Sequence, residues 1–351
     1  MPPSFFARTM SDVALSSPLN IGKVQLRNRV ALAPMAGLTD VPFRTLAWRF
    51  GAGHMVSEMV ASKLELWNTQ KSQLRRIAVA GSAPMAVQMA GNEASVMAET
   101  ARRLTGEGAA LIDINFGCPA KKVCRRAAGS ALLADLGRIA NIVEAVAAAV
   151  TVPVTVKTRT GLEVGDEYGV DAAIAAQQAG ASMVVMHGRS RACRFVGPVR
   201  FQAVRKAQRR LSVPLLVNGD IDGSTSACSA LQQTGADGVM IGRGAIGQPW
   251  IFQVLAGGQL PSISERLLVM TEHLEHMHQF YGLQQGVRIA RKHIQAYLQN
   301  LAVTQLIPSF MTLESAFEQL TWLRALTEPQ ILDLQQSASH SPAAVANTAY
   351  C

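Results

Sequence analysis

The sequence predicts a (β/α)8 barrel followed by a small all-helical domain, and three observations carry that expectation. Strand-type runs and amphipathic helical patterns alternate eight times between Gln25 and Trp250. The strand-type runs are continuously apolar, as parallel strands covered on both faces must be. Beyond Trp250, Ile263–Phe280, Gly286–Leu298 and Leu313–Leu326 keep helical spacing with no β-branched run between them.

The expected strands are Val30–Ala33, His54–Ser57, Ala86–Met89, Leu111–Asn115, Val154–Lys157, Met183–His187, Leu215–Asn218 and Gly238–Ile241. Helical patterns at Glu93–Leu104, Ile139–Val150, Asp171–Ala179, Phe201–Gln208 and Ser224–Thr234 separate them. A strand and a helix repeated eight times in about 230 residues is the arithmetic of that barrel. The domain expectation is a flexible extension over 1–16, a barrel over 17–258, a helical domain over 259–336 and a disordered tail over 337–351, where Ala and Ser recur without periodicity.

Composition bounds the function. Apolar residues form 49% of the 351-residue chain and charged residues only 16%, so a large dry core is expected and disorder of the whole is excluded. Thirty-three Lys and Arg against 24 Asp and Glu leave a net charge of +9, which favours an anionic ligand or a polyanionic partner. Five cysteines form no CxxC pair, so neither a disulfide framework nor a structural metal is expected, and the chain reads as cytoplasmic. No apolar run is long enough to span a bilayer, and no cleavable leader pattern follows Met1.

In such a barrel the chemistry sits at the C-terminal strand ends. Those ends read Ala33-Pro34-Met35-Ala36-Gly37, Ser57-Glu58, Gln88-Met89-Ala90-Gly91, Asn115-Phe116-Gly117-Cys118-Pro119, Lys157-Thr158-Arg159, His187-Gly188-Arg189, Asn218-Gly219-Asp220 and Gly242-Arg243-Gly244. Amides, one thiol, several cations and many glycines suit a planar ligand carrying a phosphate. Gly242-Arg243-Gly244-Ala245-Ile246-Gly247 matches GxGxxG, but helices follow it rather than another strand, so a Rossmann unit is not indicated. The loops after strands seven and eight of a barrel bind phosphate through backbone N–H groups, and Asn218-Gly219-Asp220 and Gly242-Arg243 are those loops; two plain glycine turns are the alternative.

Lys157 and Arg159 lie two apart on one strand and share a face, where a cation can stabilise charge on a reduced flavin ring; a structural salt bridge with Asp113 or another inward acid is the alternative. His187 reads equally as a half-buried structural histidine. Cys118, at a strand end between Gly117 and Pro119, is a candidate catalytic thiol or a small buried hydrophobe. Basic residues cluster at Lys121, Lys122, Arg125 and Arg126, at Arg189, Arg191 and Arg194, and on a helix face at Arg288, Arg291 and Lys292, as a phosphate-backbone track or as solvated charge. His273, His276 and His278 carry no metal-site pattern and read as a wet helix face.

Taken in order, these strings resemble the tRNA-dihydrouridine synthases, and within them the bacterial B type. Ala33 to Asp40 resembles the family's flavin-edge turn, and Asn115-Phe116-Gly117-Cys118-Pro119 with Lys121-Lys122-Val123 its catalytic loop. Lys157-Thr158-Arg159-Thr160-Gly161, His187-Gly188-Arg189, Asn218-Gly219-Asp220, Gly242-Arg243 and Arg288-Ile289-Ala290-Arg291-Lys292-His293 continue the likeness, which covers Pro18 to Leu326.

The resemblance implies FMN against Pro34, Met35, Ala36 and Gln88, with Lys157 at the ring, His187 nearby, and Asn218, Gly219, Asp220, Gly242 and Arg243 at the phosphate. It implies NADPH as reductant and a flipped D-loop uridine of tRNA as substrate, at position 17, held by Asn115 and Arg159. Hydride would reach C6 from flavin N5, and Cys118 would supply the proton at C5 as a general acid. The helical domain, through Arg288, Arg291 and Lys292, would hold the tRNA body, and the enzyme is expected to be monomeric and free of metal. Phe116 stands where the B type commonly has Met, and Cys124 where it has Asn, both in the loop that meets the tRNA. Two other readings share parts of the pattern: a small-molecule FMN oxidoreductase of the dihydroorotate or dihydropyrimidine kind, and a non-catalytic tRNA-binding protein.

Overall fold

The structure, a computed structural model, describes residues 14–82, 84–125 and 127–339. The first thirteen residues of the expected extension and residues 340–351 of the expected tail lie outside that range.

The strands are β1 (Leu19–Ile21), β2 (Val24–Leu26), β3 (Val30–Leu32), β4 (His54–Met55), β5 (Val60–Ala61), β6 (Ala86–Ala90), β7 (Leu111–Asn115), β8 (Val154–Arg159), β9 (Met183–His187), β10 (Leu215–Asn218) and β11 (Gly238–Ile241). The helices are α1 (Val41–Arg49), α2 (Gln70–Arg76), α3 (Ala94–Gly106), α4 (Lys121–Cys124), α5 (Leu136–Ala149), α6 (Tyr168–Gln178), α7 (Phe201–Gln208), α8 (Ser224–Thr234), α9 (Ile251–Leu255), α10 (Ile263–Tyr281), α11 (Leu283–Asn300), α12 (Ile307–Met311), α13 (Ala316–Arg324) and α14 (Glu328–Ser339). None of the helices among the described residues is long and apolar enough to cross a membrane.

The chain divides into two compact units, one formed by residues up to Gly244 with Phe252–Gly258, the other by Ala245–Ile251 with the chain from Gln259 on. In the first unit, β3 to β11 form one parallel nine-stranded sheet in the order β4-β3-β11-β10-β9-β8-β7-β6-β5. A Val56–Ala86 bridge and a Ser57 N–H to Ala86 C=O bond of 3.0 Å join its two ends, so the sheet closes into the expected barrel.

The second barrel strand differs from expectation. His54–Ser57 does not run as one strand: β4 pairs with β3, Val56 bridges to β6, and β5 resumes the pairing with β6. The break lets Ser57 and Glu58 turn into the mouth. A second difference is the antiparallel hairpin of β1 and β2, whose three-residue strands carry too few alternations to register as a period. Its Leu19, Ile21 and Leu26 are buried with Ala31, Leu111, Met183 and Leu216 of the barrel strands and cover the end where those strands begin.

Helix starts obey their caps. Asp40 accepts the Phe43 N–H ahead of α1, Asp135 that of Arg138 ahead of α5, and Ser262 with Glu265 forms a capping box on α10.

In the second unit, α10, α11 and α13 supply most of the packing, with Leu267, Met270, Leu274, Met277, Val287, Ala290, Ile294, Tyr297 and Leu323 buried. Here the histidine expectation fails: His273 and His278 are buried, and of the three only His276 faces solvent. His273 lies three residues after Met270 and four before Met277, on the buried face, where Tyr297 Oη meets its Nδ1 at 3.2 Å. His278 Nε2 pairs with Gln319 Oε1 at 2.9 Å. α14 runs to Ser339, so helix continues past Ser337, where the tail was expected to begin; Ser and Ala cost a helix little when its apolar face is already docked.

Candidate active site

Strand register gathers the candidate residues at the C-terminal end of the barrel. Asn115 on β7 lies opposite Lys157 on β8, Arg159 opposite His187 on β9, and His187 opposite Asn218 on β10. Asn218 Oδ1 accepts from Lys157 Nζ at 3.0 Å, while its Nδ2 donates to Met240 C=O at 2.8 Å. Lys157 therefore spans to β10 and forms no ion pair with Asp113, and burial lowers its pKa to about 8.

Asp113 is instead the root of a buried polar chain. Its carboxylate accepts from Thr155 Oγ1 at 2.6 Å and Gln88 Nε2 at 2.7 Å. Gln88 Oε1 accepts from Asn115 Nδ2 at 2.8 Å, and Asn115 Oδ1 takes the N–H groups of Gly117 at 3.1 Å and Cys118 at 2.8 Å. Burial raises the Asp113 pKa to about 6 against the two hydrogen bonds that favour its charge. The amides of Gln88 and Asn115 are thus both committed to this chain.

The Cys118 loop is held from a second side: its carbonyl accepts from Ser130 Oγ at 2.8 Å and from Cys124 Sγ at 3.5 Å. Burial pushes the Cys118 thiol above its ordinary pKa, so it stays protonated near neutral pH, as a proton donor requires. Arg159, buried, donates from Nε to Gly117 C=O and from Nη1 to the carbonyls of Ser190 at 3.1 Å and Arg194 at 2.8 Å. It ties the Cys118 loop to the loop after β9 and keeps only Nη2 without a partner among the described residues.

The turn after β3 carries Pro34, Met35 and Ala36. Thr39 Oγ1 accepts the Met35 N–H at 2.8 Å, and the Glu58 carboxylate accepts the Gly37 N–H and lies 3.8 Å from Arg75. β3 and β11 are neighbours in the sheet, and a Cβ on Gly242 would sit 3.5 Å from Met35 Sδ and 3.9 Å from Ala33 Cβ, in ordinary contact with the turn after β3.

At the phosphate-type end, Asp220 adopts a left-handed φ of 48° beside Gly219 at 136°. Its carboxylate is held by both Nη atoms of the buried Arg189 and by Arg243 Nη2 at 3.0 Å, and the Arg189 bond is the main cause of its lowered pKa. The backbone N–H groups of Gly219, Asp220, Gly242 and Arg243 take no acceptor among the described residues. Four unclaimed amides beside a positive cluster fit an anionic phosphate, and the Lys157 ammonium fits a planar ring that gains negative charge. His187 lies with burial and four cations around it, so its pKa is well below the ordinary value and it is neutral. Phe195, half-exposed, stacks with His187 at 6.5 Å between Arg159 and Arg243.

All the barrel candidates therefore meet in one mouth. Arg288, Arg291 and Lys292 lie apart from it in sequence and unit, on α11. Sequence reasoning missed Glu58, Asp113 as an anchor, Thr155, Arg189 as the Asp220 clamp, and Phe195. Glu58 and Arg189 both stand in strand-end strings of the sequence, which marks their place at the mouth but not the partners they hold.

Comparisons with known proteins identify the family. Residues 31–331 match the family model described as dihydrouridine synthase (Dus). The tRNA-dihydrouridine synthase B of Pseudomonas putida is 47% identical over 289 residues, covering 80% of this chain and 86% of that protein. The Klebsiella pneumoniae protein of the same name is 44% identical over 318 residues, covering 88% of this chain and 99% of its own. Among solved structures, the old yellow enzyme homologue from Zymomonas mobilis superposes with a TM-score of 0.52 at 16% identity, covering 72% of this chain and 96% of that one. Morphinone reductase does so at 0.50 and 15%, covering 72% and 92%. At such identities these two show the barrel fold alone, whereas the sequence relatives show kinship: the chain belongs to the dihydrouridine synthase family.

Proposed function

We propose that this chain reduces the C5=C6 bond of a D-loop uridine in tRNA, at position 17, using FMN in the barrel mouth and NADPH as reductant. When bound, FMN supplies hydride at N5 for C6 of the base. The remaining work belongs to the chain. Cys118 gives its Sγ proton to C5, and the burial that raises its pKa keeps that proton available at neutral pH. Lys157 holds a positive charge by the ring and is oriented by Asn218. The amides of Gly219, Asp220, Gly242 and Arg243 hold the phosphate, with Arg189 and Arg243 neutralising Asp220 so that its carboxylate does not repel it. Pro34, Met35, Ala36 and Gln88 border the ring, and His187 stays neutral beside it. Arg159 offers Nη2 to the base edge, and Asn115 acts chiefly by holding Cys118.

Arg288, Arg291 and Lys292 meet the body of the tRNA, and the enzyme works as a cytoplasmic monomer. The observation that carries this reading is Cys118 at the C-terminal strand ends of the barrel, its N–H held by Asn115 and its carbonyl by Ser130. Incubating the protein and its Cys118→Ala variant anaerobically with NADPH and unmodified tRNA tests it, with dihydrouridine mapped by nuclease digestion and mass spectrometry. Dihydrouridine from the wild type and little from the variant is expected; untouched tRNA beside a reduced flavin would sink the reading.

A further inference from the structure

The helical unit contains a cavity of about 400 Å³ lined by Gln284, Val287, Arg288, Arg291 and Glu314. That size falls in the range of small-ligand sites, roughly 300–1,000 Å³. The first four residues follow i, i+3, i+4, i+7 along α11 and so form one wall, while Glu314 lies between α12 and α13. The Glu314 backbone N–H is taken by Glu318 Oε2 at 3.0 Å, which ties its loop to the start of α13.

Gln284, Arg288 and Glu314 are exposed, so their polar groups meet water in the open cavity and are accessible to a ligand. Arg291 Nη2 donates to Leu313 C=O at 2.9 Å, yet its Nε is buried with no acceptor. Gln284, Arg288 and the Glu314 carboxylate make no side-chain hydrogen bond or ion pair among the described residues. Two guanidinium groups and a carboxylate thus line one cavity without closing on each other. Buried Val287 supplies an apolar floor.

We propose that this cavity binds a guanine base. A phosphate would suit the arginines but would face the Glu314 carboxylate. A ligand that uses both charges must present an acceptor edge and a donor edge. Guanine alone among the bases has two adjacent acceptors, O6 and N7, for a guanidinium fork, and two adjacent donors, N1–H and N2–H, for a carboxylate. Adenine mixes donor and acceptor on the edge that guanine presents to arginine, and cytosine offers a carboxylate a single amino group. Val287 then meets the flat face of the base. The source of the base, a guanosine of the RNA, rests on the proposed tRNA substrate; the recognition chemistry does not.

The test titrates the full-length, flavin-loaded protein with GMP, IMP, AMP, CMP and inorganic phosphate, followed by calorimetry or ligand-observed NMR. GMP is expected to bind roughly tenfold or more tighter than AMP and CMP, with IMP, which lacks the 2-amino group, between them. Glu314→Gln should bring GMP down to the level of IMP, with an unchanged melting temperature because Glu314 is exposed. Equal binding of all the nucleotides, displacement of GMP by equimolar phosphate, or no effect of Glu314→Gln overturns the proposal.

A second arm measures tRNA affinity by filter binding. A several-fold weaker Kd in Glu314→Gln assigns the pocket to an RNA guanosine, and an unchanged Kd with GMP preference intact assigns it to a free guanine nucleotide. Dihydrouridine formation is scored separately: its absence beside retained GMP preference defeats only the proposed reaction, and its presence without base discrimination defeats only the guanine pocket.

Discussion

Asn115 Oδ1 accepts the backbone N–H of Cys118 at 2.8 Å, so the last residue of β7 places the proposed proton donor from one side while Ser130 Oγ holds its carbonyl from the other. Because the anchor is on the backbone, removing the thiol leaves the loop where it is. Cys118→Ala is therefore expected to keep flavin binding and reduction by NADPH, while dihydrouridine formation falls by about 10²–10⁴. Stopped-flow absorbance and tRNA digestion measure the two steps separately. Equal losses in both would show that the thiol acts on the flavin site instead.

The same anchor depends on Asp113, three side chains away. A carboxylate only accepts, so Gln88 must turn its NH2 toward Asp113 and its carbonyl toward Asn115, which leaves the Asn115 carbonyl for the Cys118 loop. Asp113→Asn can present a donor to Gln88 and reverse every amide along the chain, ending with an NH2 group against two backbone N–H groups. Turnover on tRNA should fall about tenfold or more with flavin content retained, since one charge-assisted hydrogen bond is worth roughly 1.5–3 kcal/mol.

The pH signature of Asp113 adds a second check. Its folded pKa of about 6 lies above the ordinary 3.8, so the native state holds the proton more tightly than the unfolded chain. Stability should therefore fall as pH rises from about 4 to about 6, and a series of melting temperatures should lose that slope in Asp113→Asn.

Lys157 titrates with the opposite consequence. Its folded pKa of about 8 lies below the ordinary 10.5, so the native state gives up its proton first, and this group's cost to stability is relieved as pH climbs from about 8 toward 10.5. Function moves the other way: the charge proposed to sit by the ring disappears through that same interval. Flavin affinity, followed by fluorescence on release, should weaken above about pH 8 in the wild type. Lys157→Met should be weak at every pH and show no such inflection.

The barrel was legible because eight apolar strands, each ending in polar residues, leave few other architectures. The hairpin of Leu19–Ile21 and Val24–Leu26 was not, since two strands of three residues cannot display a period, and its burial exists only once the barrel end is built. Candidate residues were legible where position at a strand end suffices, as for Cys118, Lys157 and Asn218, which the register brings to one mouth. Residues that act on other side chains were not: Arg189 grips Asp220 from 31 positions away, and Asp113 works through Gln88 on another strand. His273 misled because a polar residue was read by its chemistry and not by its place between Met270 and Met277.

The last glycine of the GxGxxG string has a use that the motif does not suggest. Gly247 has φ +80°, and a Cβ there would lie 2.4 Å from the backbone carbon and oxygen of Ala296 on α11. Three residues on, the Trp250 ring sits 6.0 Å from that of Tyr297, so the 245–251 segment is docked on α11 at two points. Glycine is needed at the first point both for its backbone angle and for the close approach of the helix. Backbone cannot yield as a flexible side chain would, so Gly247→Ala must either strain φ or push the segment off the helix. A loss of about 2 kcal/mol or more is expected, and Trp250, freed from Tyr297, should become more exposed. Thermal melts with tryptophan emission read both effects. The neighbouring Gly242→Ala, which meets nothing closer than 3.5 Å, should leave stability nearly unchanged and weaken flavin binding instead.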